Sequence, residues 1–107
     1  MMKLKAKHIL LSYDKAEMST HNRPLGVAMQ DAANIIRDIE TGKTTWNEAA
    51  AKNSACPSGK RSYGDLGWFE EEHMHPDFSN AVKISGIDTL APPCITPFGV
   101  HIIVRTG

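Results

Sequence analysis

Several side chains that are unusual in a surface loop occur together between positions 54 and 78. Cys56 precedes a proline, Leu66 belongs to a glycine-flanked pair, and Met74 and Phe78 are four residues apart. Loops without a binding role are usually polar throughout. The segment therefore predicts a surface on which an apolar group docks, with a thiol nearby.

Two histidines lie inside apolar runs typical of buried strands, His8 near the start of the chain and His101 near its end. If the first and last strands are neighbours, the two rings can meet in the middle of the sheet, where their nitrogens need hydrogen-bond partners. Taken singly, each histidine is more often structural, and Cys56 could be a small buried filler. Cys56 and His101 could also form the pair of a thiol hydrolase, although no third orienting group is evident.

A further group of possible ligands surrounds Met74. It contains two histidines and four carboxylates, namely His73, His75, Glu70, Glu71, Glu72 and Asp77. A His-x-His pair without a fixed third ligand is weak evidence for a metal site. We therefore expect no bound metal and no cofactor.

The elements that must position these residues can be read from periodicity and capping signals. The pattern predicts a strand over 3–11, a long loop, a helix over 25–41 stopped by Gly42, a short helix capped by Thr45, a strand over 66–69, a helix from Pro76 to about 85, and strands over 89–91 and 100–105. This mixture favours an α+β fold with an antiparallel or mixed sheet.

Composition sets the broad class of the protein. The 107 residues carry 12 basic and 12 acidic side chains and no formal net charge, whereas nucleic-acid binding needs clustered cationic excess. No apolar run could cross a bilayer, and residues 1–5 do not resemble a signal peptide. We expect one domain, 1–107, that is cytoplasmic, binds neither nucleic acid nor membrane, and keeps Cys56 and Cys94 as free thiols.

Five segments in order resemble the parvulin family of peptidyl-prolyl cis/trans isomerases: HILL from His8, SACPSGKR from Ser54, GDLGWF from Gly64, M-x-P-x-F from Met74, and TPFGVHII from Thr96. The resemblance covers nearly the whole chain except the loop 12–26. It implies a four-stranded antiparallel sheet with about four helices, three before the second strand and one after it. The first and last strands would lie side by side at the centre of the sheet.

The same resemblance implies roles for particular residues. Leu66, Met74 and Phe78 match the family's proline-ring pocket, to which Phe98 is added as a substrate-binding residue. The catalytic group would comprise a hydrogen-bonded histidine pair, a threonine that joins it and the family's active-site cysteine, which are His8, His101, Thr96 and Cys56. Asp65 lies near this site, but its neighbouring glycines make a role in a turn equally plausible.

The implied reaction is rotation about the Xaa-Pro bond of protein or peptide segments. Amide conjugation gives a barrier of about 18–20 kcal/mol, so a catalyst must bind the twisted amide more tightly than either planar form. No covalent bond need form, and Cys56 would tune the electrostatics at the carbonyl. The alternative is a catalytically weak peptide-binding or chaperone-like module using the same pocket; convergence of His8, Cys56 and His101 on that pocket separates the two.

Charges near the predicted pocket bear on specificity. In the parvulin members that are specific for phosphorylated Ser/Thr-Pro segments, a basic cluster in the loop after the first strand holds the phosphate. That loop offers only the widely spaced Lys15, His21 and Arg23. Three glutamates at positions 70–72 are expected at the pocket rim, where they would disfavour acidic residues before proline. We therefore expect no phosphate-directed specificity and a preference for apolar or basic residues before proline.

Overall fold

Four antiparallel strands form one sheet, with the first and last strands of the chain at its centre. The computed structural model describes residues 3–15, 23–55 and 62–107. The strands are β1 (Lys3–Leu11), β2 (Asp65–Glu70), β3 (Cys94–Thr96) and β4 (Gly99–Arg105). Their order in the sheet is β2-β1-β4-β3. The predicted α+β class, the four antiparallel strands and the central pair are confirmed.

Three α-helices and one short 3-10 turn accompany the sheet within these ranges. The helices are α1 (Leu25–Glu40), α2 (Trp46–Asn53) and α3 (Pro76–Ile84), and the turn is Glu71–His73. The described residues contain two of the three helices implied before β2, and positions 56–61, which precede β2, lie outside the described residues. No helix of the described part is long and apolar enough to span a membrane.

The alternation of side chains along β1 builds two separate cores. Ile9 and Leu11 pack with residues of α1 and α2 on one face of the sheet. Leu4 and Ala6 pack with residues of β2 and α3 on the other face. Because side chains at alternate positions of a strand share a face, His8 lies on the same face as Leu4 and Ala6. That face, covered only in part by α3, is where the site forms.

Local signals at the ends of α1, α2 and α3 agree with the sequence. Gly42 takes a left-handed conformation just after α1, with φ of 79°. The Thr45 hydroxyl accepts the Glu48 amide at the start of α2, with 3.2 Å between the atoms. A proline occupies the first turn of α3, and Ser85 ends that helix. These caps fix where each helix begins or ends and therefore which side chains face the sheet.

The prediction of a strand over 89–91 is wrong, because the third strand lies at Cys94–Thr96. Leu90 makes only an isolated bridge to Val104, and the Ala91 amide donates to the Ile103 carbonyl over 2.9 Å. The next two residues are prolines, which have no amide hydrogen to donate to a strand ladder. Regular pairing therefore resumes only after them, which places Thr96 directly beside β4.

Candidate active site

A cavity of about 320 Å³ opens on the face of the sheet that carries His8. It is walled by apolar side chains of β1, β2, α3 and the β3–β4 turn, with imidazoles at its floor and mouth. The residues that line it are His8, Leu10, Leu66, His73, Met74, His75, Phe78, Thr96, Phe98 and His101. A cavity of this size can hold a proline ring together with the flanking peptide groups.

The register of β1 and β4 brings the two strand histidines together. Leu10 pairs with His101 and His8 pairs with Ile103, so the two imidazoles are diagonal neighbours on one face of the sheet. Their Nδ1 atoms are 3.0 Å apart, and the rings stack with 17° between their planes. Residues 93 positions apart in sequence therefore share one hydrogen bond at the floor of the cavity.

Thr96 extends this hydrogen bond into a chain. Its hydroxyl oxygen lies 2.7 Å from His101 Nε2 and accepts the Phe98 amide at 3.2 Å. Both nitrogens of His101 are thereby engaged. In the bond between the two Nδ1 atoms one ring must donate and the other accept, so the two rings cannot both be protonated while it persists. Among the described residues, the buried Nε2 of His8 has no hydrogen-bond partner.

Burial keeps both rings neutral. It lowers the pKa of His8 from 6.5 to about 4. The pKa of His101 falls to about 3, chiefly because of burial and further because of the charges that His8 and His75 would carry. Desolvation disfavours the imidazolium form of histidine. At neutral pH the floor is therefore uncharged and is held together by neutral hydrogen bonds.

The apolar wall is formed by the side chains predicted to hold the proline ring. Phe78 is buried against the floor, and its ring lies edge-on to both imidazoles. Its ring centroid is 5.5 Å from that of His8 and 5.1 Å from that of His101. Leu66 and Met74 are partly buried beside the same core. Phe98 is 44% exposed, so it stands at the edge of the cavity. Offset aromatic and thioether contacts suit an apolar ring.

Asp65 and Cys94 do not line the cavity. Cys56 lies outside the described residues. The Asp65 carboxylate accepts the Gly67 amide over 2.9 Å, which gives it a role in the turn at the start of β2. Cys94 is a half-buried free thiol that donates to the Asp77 carbonyl at 3.5 Å. Because both nitrogens of His101 are already bonded, His101 has no free nitrogen to serve as the base of a thiol hydrolase.

Three glutamates were expected at the pocket rim, and none of the three lines the cavity itself. Glu70 lies 3.7 Å from His73, and Glu71 pairs with Lys83 at 2.9 Å. Glu71 belongs to the 3-10 turn after β2, and its partner Lys83 lies on α3, so its carboxylate is directed to that helix and away from the cavity.

Leu10, His73 and His75 line the cavity although the sequence did not assign them to it. The two histidines flank Met74, and a residue predicted for the pocket marks its neighbours as candidates for the same surface. The sequence also raised these histidines as possible metal ligands. In the parts of the chain that the structure describes, no group of three or more His, Cys, Asp or Glu side chains could hold a metal ion.

The described residues of the loop after β1 present no positive charge to the lining of the cavity. Arg23 is bound to Asp31 of α1, with 3.0 Å between the ionic atoms, and its Nε donates to the Ser12 carbonyl at 2.7 Å. Lys15 is exposed, and His21 lies outside the described residues. Neither Lys15 nor Arg23 lines the cavity.

An antiparallel four-stranded sheet with a neutral histidine pair beneath an apolar cavity is the arrangement implied by the resemblance to the parvulins. The family model of the rotamase, a PPIC-type PPIase domain, matches residues 8–107. The chain therefore belongs to the PPIC-type peptidyl-prolyl cis/trans isomerase family, the parvulins, and is an enzyme of that class.

Individual relatives agree with this assignment. The chain is 32% identical over 111 residues to "Peptidyl-prolyl cis-trans isomerase pin1" of Rhizopus delemar, which covers 98% of this chain and 73% of that protein. It is 32% identical to "Chaperone SurA" of Idiomarina loihiensis, of which it spans only 23%. The solved structure of peptidyl-prolyl isomerase ESS1 from Candida albicans superposes with a TM-score of 0.90 at 26% identity, over 98% of this chain and 63% of that one.

Proposed function

We propose that this chain isomerises Xaa-Pro bonds of unfolded or flexible protein segments without a covalent intermediate and without a requirement for phosphate. The observation that carries the proposal is the neutral His8–His101–Thr96 network lying directly beneath an apolar cavity large enough for a proline ring. No proton transfer or bond cleavage is needed for this reaction. A rigid polar floor next to an apolar wall that binds the proline ring is sufficient for this reaction.

The apolar wall binds the proline ring. Burying its three CH₂ groups is worth about 2.4 kcal/mol at roughly 0.8 kcal/mol each. This gain is similar for the cis, trans and twisted forms, so it favours binding and does not by itself accelerate rotation. We assign this role to Leu66, Met74, Phe78 and Phe98.

Acceleration must come from groups that interact differently with the twisted amide. In that form the nitrogen has lost conjugation and the charge on the carbonyl has changed. Fixed dipoles in a site that excludes water act more strongly than the same dipoles in solution. We assign this role to His8, His101 and Thr96, with Cys56 tuning the electrostatics at the substrate carbonyl.

The absence of a phosphate requirement is supported by the contacts of Arg23, which forms an ion pair with Asp31 and donates a hydrogen bond to the Ser12 carbonyl. Two of the five N–H donors of this guanidinium are used within the chain, and the Asp31 carboxylate offsets its charge, so a phosphate would have to compete with both contacts. The preference for apolar or basic residues before proline remains part of the proposal. Its apolar part rests on the apolar wall, and its basic part rests on the Glu70 carboxylate, which lies 3.7 Å from His73 at the mouth. Action on cytoplasmic polypeptides also remains a proposal.

The test is cis/trans exchange of short Xaa-Pro peptides followed by NMR exchange spectroscopy, with and without the protein. Alanine before proline is the reference, and Arg, Leu, Glu and phosphoserine are the comparisons. We expect exchange well above the uncatalysed rate, fastest with Leu or Arg. Faster exchange with phosphoserine would overturn the phosphate-independent proposal. Shifted peptide signals without faster exchange would leave a peptide-binding module in place of an isomerase.

A further inference from the structure

A bound Xaa-Pro segment brings backbone carbonyl groups into a cavity whose walls are largely apolar. Each carbonyl that leaves water without gaining a donor carries a penalty. On the floor, both His101 nitrogens and the Thr96 hydroxyl are already hydrogen-bonded, and His8 Nε2, which has no partner among the described residues, is buried. Among the described residues, the imidazoles left at the mouth of the cavity are His73 and His75.

The hydrogen bonding of His75 determines where its proton lies. His75 is the N-cap residue of α3, and its Nδ1 accepts the Asp77 amide at 3.2 Å. A neutral imidazole has one N–H, so a ring whose Nδ1 accepts carries its proton on Nε2. The Asp77 carboxylate is 3.8 Å from the same Nδ1, beyond hydrogen-bond distance. The cap therefore leaves Nε2–H as a donor of fixed position.

The ring of His75 is also placed where a substrate would meet it. It lines the cavity together with Met74 and Phe78, and its side chain is 31% exposed. Its charge is among the causes that lower the pKa of His101, after burial and His8, so it lies within electrostatic reach of the floor. His73 differs, because its side chain is 67% exposed and its Nε2 faces the Glu70 carboxylate at 3.7 Å.

We propose that His75 is a substrate-contacting residue of this isomerase, whose Nε2–H donates a hydrogen bond to a backbone carbonyl of the bound peptide while Nδ1 caps α3. The inference rests on the proposed function, since it assigns a further residue of the same cavity. The imidazole of His75 thus has two roles. The hydrogen bond from the Asp77 amide to Nδ1 caps α3 and also places the ring proton on Nε2, which faces the substrate.

Two isosteric substitutions separate these tasks. In His75→Asn the amide oxygen takes the place of Nδ1 and keeps the cap, but no group reaches the position of Nε2. In His75→Gln the amide nitrogen reaches the position of Nε2, but the cap is lost. The experiment measures kcat/KM for an Ala-Pro peptide by NMR exchange, peptide Kd by titration, and Tm for both variants and the unsubstituted protein.

We expect His75→Asn to keep its Tm and to lose about fivefold to tenfold in kcat/KM, as for one lost neutral hydrogen bond. We expect His75→Gln to lose about 4–8 °C in Tm, as for one lost cap in a domain of about this size, and to lose less kcat/KM than His75→Asn, because its amide nitrogen can still donate to the carbonyl. Full activity in the Asn variant, or equal losses of activity in both, would overturn the assignment.

A spectroscopic measurement tests the contact directly. In protein with ¹⁵N-labelled histidine, at a pH where exposed imidazoles are neutral, long-range ¹H–¹⁵N correlations should identify His75 as the Nε2–H tautomer. Addition of the peptide should shift its Nε2 resonance more than its Nδ1 resonance. A purely structural cap would leave Nε2 unmoved, which would contradict the proposal.

The outcomes also distinguish this inference from the proposed function. If the unsubstituted protein accelerates exchange and His75→Asn matches it, only the role of His75 is wrong. If the unsubstituted protein binds the peptide without accelerating exchange, the isomerase proposal is wrong. The ratio of Kd values for the Asn and Gln variants then still decides the contact, with weaker binding by Asn supporting it and equal binding overturning it.

Discussion

His8 and His101 act as a unit because their Nδ1 atoms, 3.0 Å apart, share one proton. Removing either ring leaves the other's Nδ1 buried without a partner, and removing His101 also frees the Thr96 hydroxyl. An unsatisfied buried polar group costs about 1–3 kcal/mol. We expect His101→Ala to destabilise the fold more than His8→Ala, with a double variant that loses clearly less than the sum.

Urea unfolding of the two single variants and the double variant measures this coupling. We expect a coupling free energy on the order of 1–2 kcal/mol, which is typical of residues in one network. His73→Ala is the matched control, because its side chain is 67% exposed, and it should change stability by less than about 0.5 kcal/mol. Additive losses at His8 and His101 would contradict the shared hydrogen bond.

The lowered pKa values of the pair predict how stability depends on pH. The folded-state pKa of His8 is about 4 and that of His101 about 3, against an ordinary 6.5. The unfolded chain therefore binds these protons first. The stability that comes from neutral rings is complete above pH 6.5 and is lost as the pH falls toward 4 and then 3.

Near pH 5 the unfolded chain should take up about two more protons than the folded one through these rings, a slope of up to about 2.7 kcal/mol per pH unit. Urea unfolding at pH 7.5, 6.5, 5.5 and 5.0 measures it. His8→Asn should reduce the slope, whereas His73→Asn should leave this contribution in place. An unchanged slope in His8→Asn would show that His8 is not a source of the pH dependence.

Sequence and structure differ in how much they disclose about single residues. The convergence of His8, His101 and Thr96 with the apolar wall was predictable, because the segments that carry these residues resemble a known family. His75 was not, because its role depends on a helix cap and on a cavity formed by several elements. A His-x-His motif viewed alone points more readily to a metal site, and only the contact between His75 Nδ1 and the Asp77 amide reveals its tautomer.

At the level of elements, the pairing of β1 with β4 converts two distant histidines into neighbours. β1 is held in place on its other side by Gly64, which precedes β2 and whose carbonyl accepts the His8 amide at 3.0 Å. Gly64 has φ of 82°, and a Cβ there would collide with the backbone carbonyl of His8. Only glycine combines that conformation with such a close approach.

We expect Gly64→Ala to destabilise the fold by about 2 kcal/mol or more through strain and the displacement of His8. Catalysis should fall with it even where the variant remains folded. Gly26→Ala is the matched control, because Gly26 lies in α1 with open space around its Cβ position, and it should be neutral or stabilising by up to about 1 kcal/mol. Thermal unfolding measures the stability of both variants, and peptide exchange measures their catalysis. Equal changes in Gly64→Ala and Gly26→Ala would contradict the requirement for glycine at position 64.

The elements that the sequence predicted best have strong local signals. β1 alternates into two cores, and α1 carries a stripe of alanines and isoleucines followed by Gly42. β3 was misplaced because 89–91 has the local character of a strand, while the decisive effect comes from the two prolines after it. β3 pairs with the adjacent β4 across a tight turn, and a strand of only three residues is too short to show a period-two pattern.

At the scale of the whole molecule, basic and acidic side chains are equal in number, and Arg23 forms an ion pair within the chain. The chain has no formal net charge. Arg23, in the loop after β1, is held by α1, because it bonds Asp31 of that helix as well as the Ser12 carbonyl. Its task is therefore to anchor the loop after β1 to the helix, and long-range attraction of a phosphopeptide is not expected.

Because Arg23 is bound within the chain, its removal should lower stability and leave specificity unchanged. Arg23→Ala should lower the free energy of unfolding by about 1 kcal/mol, because it removes a partly exposed ion pair and a charge-assisted hydrogen bond. The ratio of kcat/KM between phosphoserine-Pro and serine-Pro peptides should stay within about twofold of its original value. Lys15→Ala, a change at an exposed residue, should alter neither quantity. If the ratio drops in Arg23→Ala or Lys15→Ala, and if raised salt suppresses it in the unsubstituted protein, then these side chains do hold phosphate and the loop must rearrange around the substrate.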